Sequence, residues 1–140
     1  VAGDPIVAVG PGLTLSAREV QEADGLALAP GFIGVHTHDD MAVMSVRTSL
    51  PKPSQGVTTV VTGNCGTSLG PIPLTVRDAP VPPLDLIATA AEYRYATFGD
   101  LLDARRASGP ALNVVPFVGH TVLRARAVDD LTGPASAEEI

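Results

Sequence analysis

The run Val57-Thr58-Thr59-Val60-Val61-Thr62 constrains the fold of this chain more than any other stretch. Every residue in it is β-branched, so each gives up χ1 freedom in a helix and packs well on a pleated surface. There is no apolar/charged alternation, which is the pattern of a buried strand in a parallel sheet. The run closes on Gly63-Asn64-Cys65-Gly66, where the flanking glycines free the backbone for a close approach. Upstream, Pro30-Gly31 opens a first core strand over Ile33 to Thr37. Met41 to Leu50 reads as a helix whose end is limited by Thr48, Pro51 and Pro53. Strand, helix, strand is the start of a parallel α/β pattern.

The same reading continues downstream. Gly70 to Pro83 carries five prolines and no periodic apolar pattern, which suits a long surface loop, either a lid or binding loop or a plain connection. Leu84 to Tyr95 is expected to be helical, with Leu84, Ile87, Ala88 and Ala91 on one face. Thr97-Phe98-Gly99-Asp100 resembles a helix start, Ser108-Gly109-Pro110 a stop, and Asp100, Asp103, Arg105 and Arg106 a solvated face between them. Leu112 to Val118 reads as a third strand, ending at Gly119-His120-Thr121. At the other end, Ile6 to Val9 reads as a short strand, and Asp24-Gly25 within Glu19 to Ala29 is a hairpin signal. Residues 1–30 are therefore expected to form part of a small β-domain, with an irregular arm as the alternative.

The candidate chemistry lies where strands end. His36 and His38 are two apart, so on a strand their imidazoles share a face and can aim at one point beyond its carboxyl end. A divalent metal there would take a nitrogen from each, although any His-x-His can also be two solvated rings. Asp39 and Asp40 read as a helix N-cap and first-turn acid for the segment from Met41, or as hydrogen-bond partners of an imidazole. The lone Cys65 has no intramolecular disulfide partner and is a buried thiol, a nucleophile or a metal ligand. His36/His38, Cys65 and His120 thus fall at the carboxyl ends of successive strands, where parallel α/β folds carry their sites.

With 45% apolar and 17% charged residues, the 140-residue chain has a core-forming composition. Its net charge of −6 and lack of a basic cluster argue against nucleic acid as partner. No membrane span or secretory signal is visible, which makes a cytoplasmic protein the default expectation. Val1 is not an initiator Met, and Ser136-Ala137-Glu138-Glu139 looks like a helix start with little after it, so the chain reads as a fragment.

Three segments together resemble the N-acyl-D-amino-acid deacylases, or D-aminoacylases, of the amidohydrolase superfamily: Ala29 to Asp40, Ser54 to Gly66, and Val118-Gly119-His120-Thr121 with Leu123-Arg124. Tyr93-Arg94-Tyr95 is similar too, and Gly-Asn-Cys-Gly after Val-Thr-Thr-Val is the specific part. The resemblance implies an α/β fold: residues 31–140 as the first βα units of an incomplete, metal-dependent (β/α)₈ barrel, preceded in residues 1–30 by a partial β-sandwich. It implies one or two zinc ions, with His36 and His38 as ligands of one position and Cys65 as a thiolate ligand able to bridge toward a second. His120, with Asp39 and Asp40, would have a substrate-facing or supporting role. Gly34 stands where the family more often has Asp. The family's further histidine ligands and general-base aspartate fall beyond Ile140, so no catalytic base is assigned and the piece alone is expected to be inactive.

The implied reaction is zinc-dependent hydrolysis of N-acyl-D-amino acids, small molecules, to a carboxylate and a D-amino acid. The alternatives are a cyclic amidohydrolase of the dihydropyrimidinase or hydantoinase kind, and a non-catalytic barrel fragment or assembly subunit.

Overall fold

The computed structural model describes residues 5–14, 16–74 and 78–140; the parts of the 1–30 arm and of the Gly70–Pro83 loop that fall on residues 1–4, 15 and 75–77 lie outside them. Three parallel strands, β1 (Phe32–Gly34), β2 (Val57–Thr62) and β3 (Asn113–Pro116), form one sheet in sequence order with β2 central. The β-branched run is thus the middle strand. Its Val60 and Thr62 are fully buried, whereas Val57, Thr59 and Val61 on the other face are only half-buried. β1 is an edge strand and shorter than expected, and its Phe32 and Ile33 remain exposed at 66% and 60%. A core strand was expected there; among the described residues nothing covers its outer face.

The longest helix, α2 (Phe98–Ser108), starts and stops where its sequence says. The Thr97 hydroxyl accepts the Asp100 N–H at 3.1 Å, and the Asp100 carboxylate accepts the Thr97 N–H at 2.9 Å, a reciprocal cap. Gly109 ends it in the left-handed conformation, φ +58°. Arg105 corrects the reading of a solvated α2 face, because it is only 5% exposed and its Nη1 donates to Thr62 Oγ1 at 3.4 Å beneath β2.

Two expected helices are broken. Met41 to Leu50 splits into a 3₁₀ turn at Ala42–Met44 and a short α1 (Val46–Ser49), because Ser45 is extended and its hydroxyl accepts the Thr48 N–H. Leu84 to Tyr95 splits into 3₁₀ turns at Leu84–Leu86 and Ala90–Glu92, because Thr89 is extended, with its N–H and hydroxyl both given to the Glu92 carboxylate. In both cases a hydroxyl residue offers the backbone a cap in place of a continuous helix.

Residues 5–14 and 16–30 are exposed and irregular, without a strand ladder. The turn at Asp24-Gly25 does form, closed by the Leu26 N–H on the Ala23 carbonyl. The main core cluster joins Leu101 of α2 and Val122 of α3 (His120–Ala127) to Leu69, Leu84, Tyr93 and Tyr95 of the segment between β2 and α2. No helix among the described residues is long and apolar enough to cross a membrane.

Candidate metal centre

β1 gives way to a bend at Val35 and His36, so both histidines stand just beyond the strand end. Their rings meet edge to face with centroids 5.7 Å apart. At the end of β2 the chain passes through three left-handed residues: Gly63 (φ +85°), Cys65 (φ +54°) and Gly66 (φ +77°). Cys65 is the single non-glycine residue with positive φ among the described residues. That conformation costs an L-residue about 1–2 kcal/mol, and it persists only where the surroundings over-determine it.

Hydrogen bonds supply part of that determination. The Gly63 N–H is given to the Asp40 carboxylate, at 3.1 Å to Oδ1 and 3.5 Å to Oδ2. The Asn64 side-chain amide donates to the Thr37 carbonyl at 3.2 Å and the Val61 carbonyl at 2.9 Å, while the Asn64 carbonyl accepts the Thr67 N–H and hydroxyl. Backbone contact supplies the rest. A Cβ on Gly63 would fall 2.2 Å from the Phe117 carbonyl oxygen, and one on Gly119 would fall 2.3 Å from the Gly66 carbonyl oxygen. The glycines are required because the turn after β2 lies directly on the chain leaving β3. The Gly119 N–H also donates to the buried Ser68 hydroxyl at 3.0 Å.

The outcome is convergence. His36 Nε2 lies 3.2 Å from Cys65 Sγ, and one ligand atom from each of His36, His38 and Cys65 falls within 4.8 Å of the others. All three side chains are exposed. Two imidazoles and a thiol are a donor set that suits zinc better than magnesium or calcium, and their mutual distances allow all three to reach one ion. His38, Cys65 and Thr67 also line a cavity of about 370 Å³ with Pro83, Leu86 and Ile87 from the far side of the proline-rich loop.

The remaining expected residues lie elsewhere. His120 begins α3, is exposed, and lines a separate hollow with Leu123, Arg124, Glu139 and Ile140, outside the donor cluster. Asp39 and Asp40 do not cap the 3₁₀ turn at Ala42–Met44, which has no side-chain cap. Asp39 instead pairs with Lys52 at 3.0 Å, and Asp40, 1% exposed, turns inward to Gly63. Burial pushes the Asp40 carboxyl up, opposed by the Gly63 N–H and then by the charge of Arg105. Burial pushes the Arg105 guanidinium down, opposed by the charge of Asp40. The residues that sequence reading missed are the bracing ones: the Asn64 side chain, Ser68 and Arg105. A polar residue amid the glycines at a strand end was the available signal for Asn64.

No protein-family model matches the chain. The chain is 47% identical over all 140 of its residues to a D-aminoacylase of Alcaligenes xylosoxydans xylosoxydans, of which it covers 28%. It is 50% identical over 138 residues, 99% of its length, to an N-acyl-D-aspartate deacylase of the same organism, of which it covers 27%. The chain therefore spans a little over a quarter of the length of these curated relatives. Its fold matches that of a D-aminoacylase studied for its binuclear metal centre, with a TM-score of 0.71 at 50% identity over 79% of this chain and 23% of that one. It also matches an N-acyl-D-glutamate deacylase from Bordetella bronchiseptica, complexed with zinc and a phosphonate mimic of the tetrahedral intermediate. There the TM-score is 0.61 at 37% identity, over 79% of this chain and 22% of that one. The resemblance read from the sequence thus runs through the whole chain and into its α/β fold.

Proposed function

From a chain that is D-aminoacylase-like along its whole length, we propose a protein that hydrolyses the amide bond of N-acyl-D-amino acids at a metal held by His36, His38 and Cys65. The observation that carries this reading is the convergence of two imidazoles and a thiol at the carboxyl ends of β1 and β2. In this reading residues 31–140 contribute the first strand–helix units of a (β/α)₈ barrel and residues 1–30 part of a small β-sandwich. The exposed Phe32 and Ile33 of edge strand β1, and Val115 and Phe117 at the other edge, fit a sheet that continues and closes. Such a barrel takes about 250 residues, so most of it comes from outside the present chain.

The ion is zinc, one or two per site, by the type of the donors and by the zinc and binuclear centres of the matching structures. The chemistry it supplies when bound is Lewis acidity toward the amide carbonyl and acidification of water near neutral pH. His36 and His38 would hold the ion through imidazole nitrogens and Cys65 through its sulfur. Pro83, Leu86 and Ile87 present apolar surface beside His38 and Cys65, a wall suited to the acyl group. Asp39 is engaged by Lys52 and Asp40 is buried on Gly63, so the carboxylate that carries the proton comes from elsewhere in the complete protein. A cytoplasmic setting belongs to the same reading, because a reducing compartment keeps the Cys65 thiol available.

The test uses the complete protein with N-acetyl-D-amino acids bearing neutral and acidic side chains, their L antipodes, and a dihydropyrimidine. Selective release of D-amino acids is expected, with zinc content and rate falling together in Cys65→Ala. Ring opening without deacylation would overturn the substrate class, and a normal rate in Cys65→Ala would overturn the thiolate assignment.

A further inference from the structure

The three donors sit on two loops that follow different strands, and because all three are exposed, their own packing does little to hold the loops in register. The Cys65 turn is also disfavoured in itself, at φ +54°. Something else must fix the thiol relative to the imidazoles. Besides the Thr37 hydroxyl, which donates to the Val61 carbonyl of β2 at 2.9 Å, two hydrogen bonds do so, both donated by the cysteine turn. The cysteine turn gives a backbone N–H, that of Gly63, to a side chain of the histidine loop, Asp40. It also gives a side-chain amide, that of Asn64, to the backbone of the histidine loop at Thr37. Thr37 lies between the two histidines, Asp40 is two residues past His38, Gly63 is two before Cys65, and Asn64 adjoins it. Each link is therefore anchored within two residues of a donor on both loops.

We propose that Asp40 and Asn64 are positioning residues, a two-point clasp that sets the separation between the His36/His38 loop and the Cys65 turn and thereby how tightly the site holds its ion. The inference rests on the metal reading above and goes beyond it in assigning these two residues. Their chemistry is specific. The Asn64 amide serves two carbonyls, Thr37 and Val61, so only a neutral donor fits, and an aspartate would set a carboxylate against both. Asp40 is used as an acceptor, so asparagine at that position keeps an oxygen for Gly63 whereas alanine does not. Partners of this kind, one step removed from the ligands, typically govern metal affinity by about 10–100-fold.

The experiment measures zinc affinity of the complete protein by competition with a chromophoric chelator, alongside the sulfur-to-metal charge-transfer band of the cobalt-substituted form. Variants are Asn64→Ala, Asn64→Asp, Asp40→Ala, Asp40→Asn and Cys65→Ser. Asn113→Ala is the control, because it removes a comparable side-chain bond to the Thr58 carbonyl of the same strand, away from the donors. Asn64→Ala and Asp40→Ala are expected to weaken zinc by at least about tenfold and to diminish the cobalt band, Asn64→Asp to do so further, Asp40→Asn to recover most of the Asp40→Ala loss, and Asn113→Ala to stay near the parent; an Asp40→Ala affinity within about threefold of the parent removes Asp40 from the clasp. An affinity for Asn64→Ala within about threefold of the parent, with the band unchanged, overturns the clasp. Should Asn64→Ala not fold, the isosteric Asn64→Asp decides by the same criterion. If Cys65→Ser binds zinc as tightly as the parent, the metal reading itself has failed; loss in Cys65→Ser with no loss in either Asn64 variant refutes the clasp alone.

Discussion

Replacing Gly63 by alanine tests whether the turn after β2 is wedged in place by backbone contact. Gly63 has φ +85°, and a Cβ there would fall 2.2 Å from the oxygen and 2.7 Å from the carbon of the Phe117 carbonyl. The conformational part of the cost is about 1–2 kcal/mol, reduced by about 0.5–1 kcal/mol because alanine loses less backbone entropy on folding. The steric part falls in the range of about 1–3 kcal/mol for overpacking, toward its upper end because the obstacle is backbone. Together they predict a loss of about 2–4 kcal/mol, against a typical domain stability of about 5–15 kcal/mol. Gly109→Ala isolates the first part, since Gly109 has φ +58° but nothing within 4 Å of the added Cβ. It should cost only about 1 kcal/mol or less. Urea unfolding of the complete protein, followed by far-ultraviolet circular dichroism, measures both. Equal losses in the two variants would refute the wedge, and with it the explanation for the glycines around Cys65.

Three other consequences are open to measurement. The Tyr93 hydroxyl, fully buried, donates to the Leu84 carbonyl at 2.6 Å, which also accepts the Ile87 and Ala88 N–H groups, so Tyr93→Phe removes one of three donors and should cost about 0.5–1.5 kcal/mol; an unchanged melting temperature would contradict this. Glu139 accepts N–H groups from Ser136 and Asp129, chiefly Ser136, which holds its carboxyl below the usual value of 4.5. Its contribution is therefore fully present above pH 4.5 and lost as pH falls through the depressed folded value. The Ser136 and Asp129 amide resonances should titrate below 4.5, and a midpoint at or above it would count against the contact. On the proposed substrate, Leu86→Asp places a charge in the apolar wall beside Cys65 and should raise KM for long acyl chains more than for acetyl; equal effects on both would remove Leu86 from the acyl site.

What could be read in the sequence was what local chemistry decides. Six consecutive β-branched residues had little alternative to a strand, and Thr97 with Asp100 and Gly109 mark a helix whose ends need no tertiary help. That His36, His38 and Cys65 come together was legible because strand ends in parallel α/β folds converge. The breaks at Ser45 and Thr89 were not, because the apolar spacing of each segment is helical while a single hydroxyl capping its own turn divides it. Asp40 was misread for a different reason. Its position just after the histidines suits a helix cap, and only tertiary structure supplies the Gly63 N–H that draws it inward. Arg105 follows the same logic, since it continues a charged pattern along α2, yet α2 packs so that this one guanidinium lies under Thr62.

The central claim is that Cys65 and the two histidines share a metal. X-ray absorption at the zinc edge of the complete, metal-loaded protein tests it most directly. One sulfur scatterer at about 2.3 Å with nitrogen at about 2.0 Å is the predicted first shell, and the sulfur should vanish in Cys65→Ser. A first shell of nitrogen and oxygen alone in the parent protein would contradict the account.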